Sequence, residues 1–477
     1  MVAIWSASRV NPLKSRISAA AAKALVCCAC GAFFAQAPAD KIDDFVRTQM
    51  RRDHIPGATI AVVANGKIVK EAAYGLANIE LDAKAETDSV YEIGSMTKQF
   101  TATLVMLLVE EGKVDLDKSI RTYVEGLPEA WDKATVRRVL SHTSGIPSYT
   151  NVVPFTIIAK TDYTPDQIVK MAGAKLNFEP GEQFEYSNTN YYLLGMLIEK
   201  ITGKSYWDYL SEKILTPLGM THTRNGDSKT IIPKRVSGYM WNGSEYLNMP
   251  WLTPTAGWAA GSLVSTVADL AKWDAALYTE QIIKKSDLAV MYTPSKLNSG
   301  GDEAMGYGFG WGNLVENGHH VHAHGGGTAG FSSYISRYTD DKVTVLVLTN
   351  LAAADAGHIS QGIAKLWIPN LAPKPIEDKD PKTTELIRGV LERMIDGTVT
   401  AEPFTKEAAA ALFPSGMAQA KAFLKPLGKL KSMALLSDTK VGEARNLAYK
   451  IEFENDAYTL RATVTKDGKI AGLLISE

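Results

Sequence analysis

Cysteine is nearly absent from this chain. Cys27, Cys28 and Cys30 are the three it has, and they share one short apolar run. If that run is an export signal, the processed protein has none. It can then form no disulfide, hold no metal through thiolate and use no cysteine nucleophile. An exported protein without disulfides points to a bacterial periplasm or exterior. Long hydrophobic runs are absent too. None reaches the roughly 20 residues a membrane helix needs. Excess charge of one sign is also missing: 51 basic and 52 acidic residues leave a formal net charge of −1. They are spread without long blocks, so no basic stripe suggests nucleic acid. Hydrophobic residues at 45% and charged residues at 22% allow a large soluble core and argue against general disorder.

The N-terminus is what stands out first. Arg9, Lys14 and Arg16 precede "ALVCCACGAFFA" (Ala24 to Ala35), then "APA" (Ala37 to Ala39) and Asp40. A basic stretch, an apolar stretch of this length and a small-x-small site predict a secretory signal over residues 1–39. A lipid-anchored cysteine fits less well. Cys27 and Cys28 stand where aliphatic and small residues belong.

Next, "KIDDFVRTQMRRDHI" predicts an amphipathic helix. "ATIAVVANGKIVKEAAYG" (Ala58 to Gly75) predicts a hairpin around Asn65-Gly66. In "GSMTKQFTATLVMLLVEEGKV", Met96, Phe100, Leu104, Leu107 and Leu108 keep helical spacing until Gly112. Short helices and loops fill the middle. Strands return near residue 306 with "YGFGWGN" and "HVHAHGG". "FSSYISRY" and "KVTVLVLTN" then form a hairpin around Thr339-Asp340-Asp341, and a helix follows over about Ala354 to Trp367. Early and late strands with helices between predict an α+β fold sharing one antiparallel sheet.

"PNLAPKPIEDKDPK" (Pro369 to Lys382) reads as a linker. Beyond it come helices near Thr383 to Asp396, Lys406 to Leu412 and Gly416 to Leu427. The strand-like runs "SMALLS", "NLAYKIEF", "YTLRATV" and "KIAGLLI" follow. The expected division is a signal over 1–39, a main domain over 40–368, a linker over 369–382 and a small α+β domain over 383–477.

"GSMTK" (Gly94 to Lys98) opens the long helix with Ser-x-x-Lys. Residues three apart share a helical face, so the two side chains can meet. A helix N-terminus favours developing negative charge. Serine is equally a preferred N-cap, so cap and nucleophile both stay open. A second Ser-x-x-Lys, Ser437 to Lys440, lies beside Gly442 and reads as a solvated turn. A serine nucleophile needs a base and an oxyanion hole. Tyr186-Ser187-Asn188 precedes another apolar helix, although Tyr149-Thr150-Asn151 and Tyr246-Leu247-Asn248 match the same pattern. His324 precedes Gly325, Gly326 and Gly327, whose backbone can approach a ligand closely. His319, His320, His322 and His324 cluster without a matching acidic helix motif, so no metal and no cofactor is expected.

The order Ser-x-x-Lys, Tyr-x-Asn, His-x-Gly resembles the penicillin-recognising serine hydrolases of the class C β-lactamase and D,D-carboxypeptidase type. The flanks "YEIGSMTKQFTA", "VLSHTSGIPSY", "FEYSNTNYYLLGMLIEKITG", "GSLVSTVADLAKW" and "HGGGTAGFSS" resemble the family in the same order, across about residues 40 to 367. The resemblance implies an α/β/α sandwich with a mainly helical subdomain. It implies Ser95 as acylated nucleophile, Lys98 as proton acceptor and Tyr186 as proton shuttle. Asn188, His324 and Gly326 would bind substrate, and the N–H groups of Ser95 and Gly327 would form the oxyanion hole. The third motif departs from the Lys-Thr-Gly usual in β-lactamases. Histidine is largely neutral at its ordinary pKa of about 6.5. The implied partner is therefore a small molecule or peptide turned over by a peptidase, D-aminopeptidase or esterase, ahead of a β-lactam. A non-catalytic scaffold is the reading of another class, but Ser95, Lys98, Tyr186 and His324 are all present. The small domain resembles an NTF2-like cone. The acyl substrate and oligomeric state are not legible.

Overall fold

The computed structural model describes residues 37–476 apart from 153, 302–305, 414, 455 and 456. The expected signal therefore lies outside the described residues, except that Ala37 to Ala39 open the first helix. The described chain forms two compact units, one ending at Leu371 and the other starting at Ala372.

The first unit is built on a seven-stranded antiparallel sheet. Its strands are β1 (Gly57–Ala64), β2 (Lys67–Asn78), β3 (Ala83–Lys84), β4 (Gly312–Glu316), β5 (His319–Gly327), β6 (Ser332–Tyr338) and β7 (Val343–Thr349). They lie in the order β3-β2-β1-β7-β6-β5-β4. The sheet thus closes by pairing β1 with β7, Ala58 opposite Thr349. Early and late strands share one sheet, as their positions in the sequence predict. Asn65 and Gly66 both take positive φ, 51° and 74°, the turn that matches strand twist in a two-residue hairpin.

Side chains on successive strand positions face opposite ways. On β1, Ala61 and Val63 join one core while Ala58, Ile60 and Val62 join another. On β7, Leu346 and Leu348 divide from Val343, Val345 and Val347 in the same manner. The second core is covered by helix α1 (Ala37–Arg52) and a helix over Ala356–Trp367, capped by Asp355 accepting from the His358 N–H at 2.8 Å. The first core extends into a large helical region. Its helices include α2 (Thr97–Glu110), α3 (Asn188–Thr202) and α4 (Val267–Ala276). A sheet buried on both faces explains why β1 and β7 read as continuous apolar runs rather than alternating ones.

Helix α2 is more deeply set than an amphipathic pattern implies. Thr97, Gln99, Thr101 and Thr103 are buried along with its apolar residues. Most of their polar atoms are bonded: Thr101 Oγ1 donates to Ala259 O at 2.6 Å, and Gln99 Oε1 accepts from Trp273 Nε1 at 3.0 Å. The "YGFGWGN" stretch differs from its expected strand. Gly306 and Gly310 take φ of 64° and 75°, which bends the chain, and β4 begins only at Gly312.

The second unit places helices over Pro381–Asp396, Lys406–Leu412 and Ser415–Leu424 ahead of a four-stranded antiparallel meander. Its strands cover Leu430–Val441, Ala444–Phe453, Ala457–Val464 and Ile470–Ser476. Ile387, Leu391, Leu447, Ile451 and Leu460 help form its own core. Among the described residues no helix is long and apolar enough to cross a membrane.

Candidate active site

The Gly94–Met96 stretch is a single 3₁₀ turn feeding directly into α2. No side chain caps either element, so Ser95 is not a cap. From Tyr91 to Phe100, Ser95 is the one residue that is not buried. Gly94 has φ of 50°, and a Cβ there would stand 2.7 Å from Gly327 N. A Cβ on Gly326 would lie 1.9 Å from Ile93 O. Only glycines let the end of β5 reach the nucleophile turn this closely. Ser333 Oγ reinforces the junction by donating to Ile93 O at 3.0 Å.

Helical side chains lean toward the N-terminus, so Lys98 reaches back over Ser95. Lys98 is fully buried. Its Nζ lies 3.0 Å from Ser95 Oγ, 2.8 Å from Asn188 Oδ1 and 2.7 Å from Ala260 O. Burial holds its pKa well below the usual lysine value. The amide oxygen of Asn188 and the carbonyl of Ala260 can only accept. Two of the Nζ hydrogen bonds are therefore donated to these oxygens, and the third direction of Nζ faces the Ser95 hydroxyl. Asn188 Nδ2 donates to Thr150 Oγ1 at 3.1 Å on the far side of the amide.

Tyr186 covers this pair, with Lys98 Nζ 4.8 Å from its ring centroid. Burial pushes its phenol pKa well up, and the facing Ser95 hydroxyl offsets part of that. Among the described residues, buried Tyr186 Oη has no hydrogen-bond partner beyond the facing Ser95 hydroxyl. His324 sits on β5, with its ring centroid 6.3 Å from that of Tyr186. Its Nδ1 lies 2.6 Å from Gly325 O, which can only accept, so Nδ1 carries the proton. Nε2 then accepts from Tyr307 Oη at 2.9 Å. Burial, with the Lys98 charge second, lowers the His324 pKa to about 4, so the ring is neutral at pH 7. Both its nitrogens are engaged within the protein, and it offers no positive charge to a substrate.

The structure therefore brings Ser95, Lys98, Tyr186 and Asn188 together, with His324 and Gly325 to Gly327 along one side. It places Asn188 on Lys98 rather than leaving its whole amide for substrate. Ser437 to Lys440 lies along one strand of the second unit, where a spacing of three turns the two side chains to opposite faces. The histidine cluster disperses into separate contacts. His319 pairs with Asp341 at 2.7 Å, His320 with Asp340 at 2.9 Å, and His322 bonds Asn313 at 2.7 Å.

Sequence reasoning missed several contributors. Tyr149-Thr150-Asn151, a further match to the Tyr-x-Asn pattern, supplies Thr150, the partner of the Asn188 amide. The flank "VLSHTSGIPSY" supplies His142, fully buried with its ring centroid 4.2 Å from that of Tyr186. "YGFGWGN" supplies Tyr307. The Ala260 carbonyl had no sequence signal, since any residue has one.

A two-face-buried antiparallel sheet, a helical region and a Ser-x-x-Lys turn against the second strand from one sheet end define the β-lactamase and penicillin-binding class of fold. The Beta-lactamase family pattern matches residues 42–365. The chain belongs to that family. Penicillin-binding protein 4* of Bacillus subtilis (strain 168) is 31% identical over 317 residues, covering 62% of this chain and 68% of its own. Protein flp of Staphylococcus aureus (strain NCTC 8325 / PS 47) is 30% identical over 320 residues; the match covers 65% of this chain and 63% of flp. The D-amino acid amidase from Ochrobactrum anthropi SV3, solved with L-phenylalanine, aligns with TM-score 0.59 and 28% identity over 69% of this chain and 96% of its own. The octameric penicillin-binding protein homologue from Pyrococcus abyssi aligns over 89% of this chain and 90% of its own, with TM-score 0.60; at 24% identity that likeness is one of fold.

Proposed function

We propose that this protein is an exported serine hydrolase that works through an acyl-enzyme on Ser95, acting on a D-configured peptide, an amide or an ester. One observation carries the reading: the Lys98 amine 3.0 Å from Ser95 Oγ, buried, with its two other bonds directed to obligate acceptors. Burial acts oppositely on the two candidate bases. It lowers the lysine pKa, which favours a free amine, and raises the tyrosine pKa, which disfavours a tyrosinate. Lys98 is accordingly the base and Tyr186 a neutral hydroxyl relay.

In the first step Ser95 Oγ bonds to the carbonyl carbon and its proton passes to Lys98 Nζ. The oxyanion lies against the N–H groups of Ser95 and Gly327. The bond to the leaving nitrogen or oxygen then breaks, and the leaving group takes the proton through Tyr186. Water cleaves the ester in the second half-reaction, which returns Ser95 Oγ–H and releases the acid. A neutral His324 favours substrates that need no cation at that position. This places peptides, amides and esters ahead of β-lactams, whose carboxylate is better met by lysine. The likeness to a D-amino acid amidase supports the same substrates. The N-terminal pattern of residues 1–39 supports export, and residues 383–477 form an additional domain beyond the hydrolase.

A substrate panel tests this. It holds a p-nitrophenyl ester, a D-amino acid anilide, a D-Ala-D-Ala peptide and a chromogenic cephalosporin, each with wild type and Ser95→Ala. Turnover of the ester or a D-amide that disappears in Ser95→Ala is expected. Full activity in Ser95→Ala overturns the mechanism, and cephalosporin turnover above all others overturns the substrate order.

A further inference from the structure

His142 is a buried titratable group that the proposed reaction does not use. It stands in the left-handed backbone region at φ of 58°, a conformation other than glycine rarely adopts and one that recurs at functional sites. Its Nδ1 lies 3.1 Å from the backbone N–H of Ser187, the residue directly after Tyr186. An N–H can only donate, so Nδ1 is the bare nitrogen and the proton sits on Nε2. Asn190 agrees: its Oδ1 accepts from Ser144 Oγ at 2.8 Å, which turns its Nδ2 toward the same Nδ1 at 3.4 Å.

Among the described residues the Nε2–H is buried without a hydrogen-bond partner, and Tyr186 Oη has none beyond the facing Ser95 hydroxyl. The two groups belong to rings whose centroids are 4.2 Å apart and tilted by 37°. Tyr307 and Tyr191 close the nest at 4.9 Å and 5.2 Å from the imidazole. A phenylalanine would fill this space but could not accept from Ser187. Burial is the main cause that holds the His142 pKa well below the usual histidine value, which keeps the ring neutral.

We infer that His142 is a positioning residue for Tyr186, its neutral ring serving as the plate that holds the phenol over Lys98 and Ser95, and its Nδ1 pinning the backbone just beyond. This rests on the serine-hydrolase reading above. Loss of the plate lets the phenol turn away from Ser95, and misplacement on the order of 1 Å costs about a hundredfold in rate.

The test measures the second-order rate of Ser95 labelling by a fluorophosphonate, together with kcat/KM on an ester. The variants are H142N, H142F, Y186F and both double mutants, with S95A as control. Asparagine keeps an acceptor and tolerates left-handed backbone, whereas phenylalanine keeps only the plate. Each His142 variant is expected to slow labelling about ten- to a hundredfold, and to add nothing once Tyr186 is phenylalanine, because residues acting as one unit are non-additive. Losses that multiply in the double mutants, or H142N at the wild-type rate, overturn the inference and leave the nucleophile standing. Labelling that persists in S95A overturns both. Imidazole ¹⁵N NMR on the wild type needs no variant to fold: His142 protonated on Nε2, with a shift when Ser95 is phosphonylated, supports the inference, and protonation on Nδ1 contradicts it.

Discussion

Replacing Gly94 with alanine puts one methyl group where the nucleophile turn meets β5. The added carbon would lie 2.7 Å from Gly327 N and 2.9 Å from Gly327 O. Comfortable contact is about 3.5 Å or more, so the strand end must retreat by roughly 0.8 Å. Backbone atoms cannot rotate away as a side-chain tip can. Alanine at φ of 50° also costs about 1–2 kcal/mol, and overpacking adds about 1–3 kcal/mol. The expected loss of stability is about 2–5 kcal/mol, within what a domain of this size can bear near 20 °C. The catalytic effect should be larger in kind. The Gly327 N–H is one of the two proposed oxyanion donors, and losing one such donor typically costs about 2.7–4 kcal/mol, or roughly 10²–10³ in kcat. Steady-state kcat on a p-nitrophenyl ester, with circular dichroism to confirm folding, gives the answer. A folded Gly94→Ala protein with kcat within twofold of wild type would refute both the close approach and its role.

With the free amine of Lys98 as the proposed base and its pKa depressed by burial, the acylation rate should rise with pH and level off well below the usual lysine value. Stopped-flow labelling across pH checks this, and a midpoint near 10.5 contradicts it. Asn188→Asp puts an anion 2.8 Å from Nζ, which favours the ammonium, so the same midpoint should move to higher pH; an unchanged midpoint counts against the bond. For His324 the folded pKa of about 4 lies below the unfolded value of 6.5. The unfolded chain therefore takes up the proton first as pH falls from 6.5 to 4, and stability declines across that window by about 3 kcal/mol. Urea unfolding at pH 7 and pH 4.5 should show a shallower decline in His324→Gln than in wild type.

The fold was readable wherever burial imposes a period. Asn65-Gly66 gives the first hairpin away because few other dipeptides accept two positive φ angles, and Met96 to Leu108 keeps a helical repeat. The depth of α2 was not readable. Its threonines look like a polar face until the carbonyls that satisfy them are known. "YGFGWGN" reads as strand by aromatic content, yet Gly306 and Gly310 turn it. At the site, Ser95 and Lys98 are three residues apart, so local geometry alone can unite them. Tyr186 and His324 come from distant segments, and only the ordered flanks linked them to Ser95. His142, Tyr307 and Thr150 lay in stretches already noticed, but nothing local says that they converge on one phenol and one amide.

The most direct measurement is the site of the covalent adduct. Wild-type protein is treated with a fluorophosphonate or a slowly released ester, digested, and mapped by tandem mass spectrometry while activity is followed. The account predicts one adduct per chain, on Ser95, formed in step with loss of activity. An adduct on another serine such as Ser437, or full inactivation with Ser95 unmodified, would contradict it.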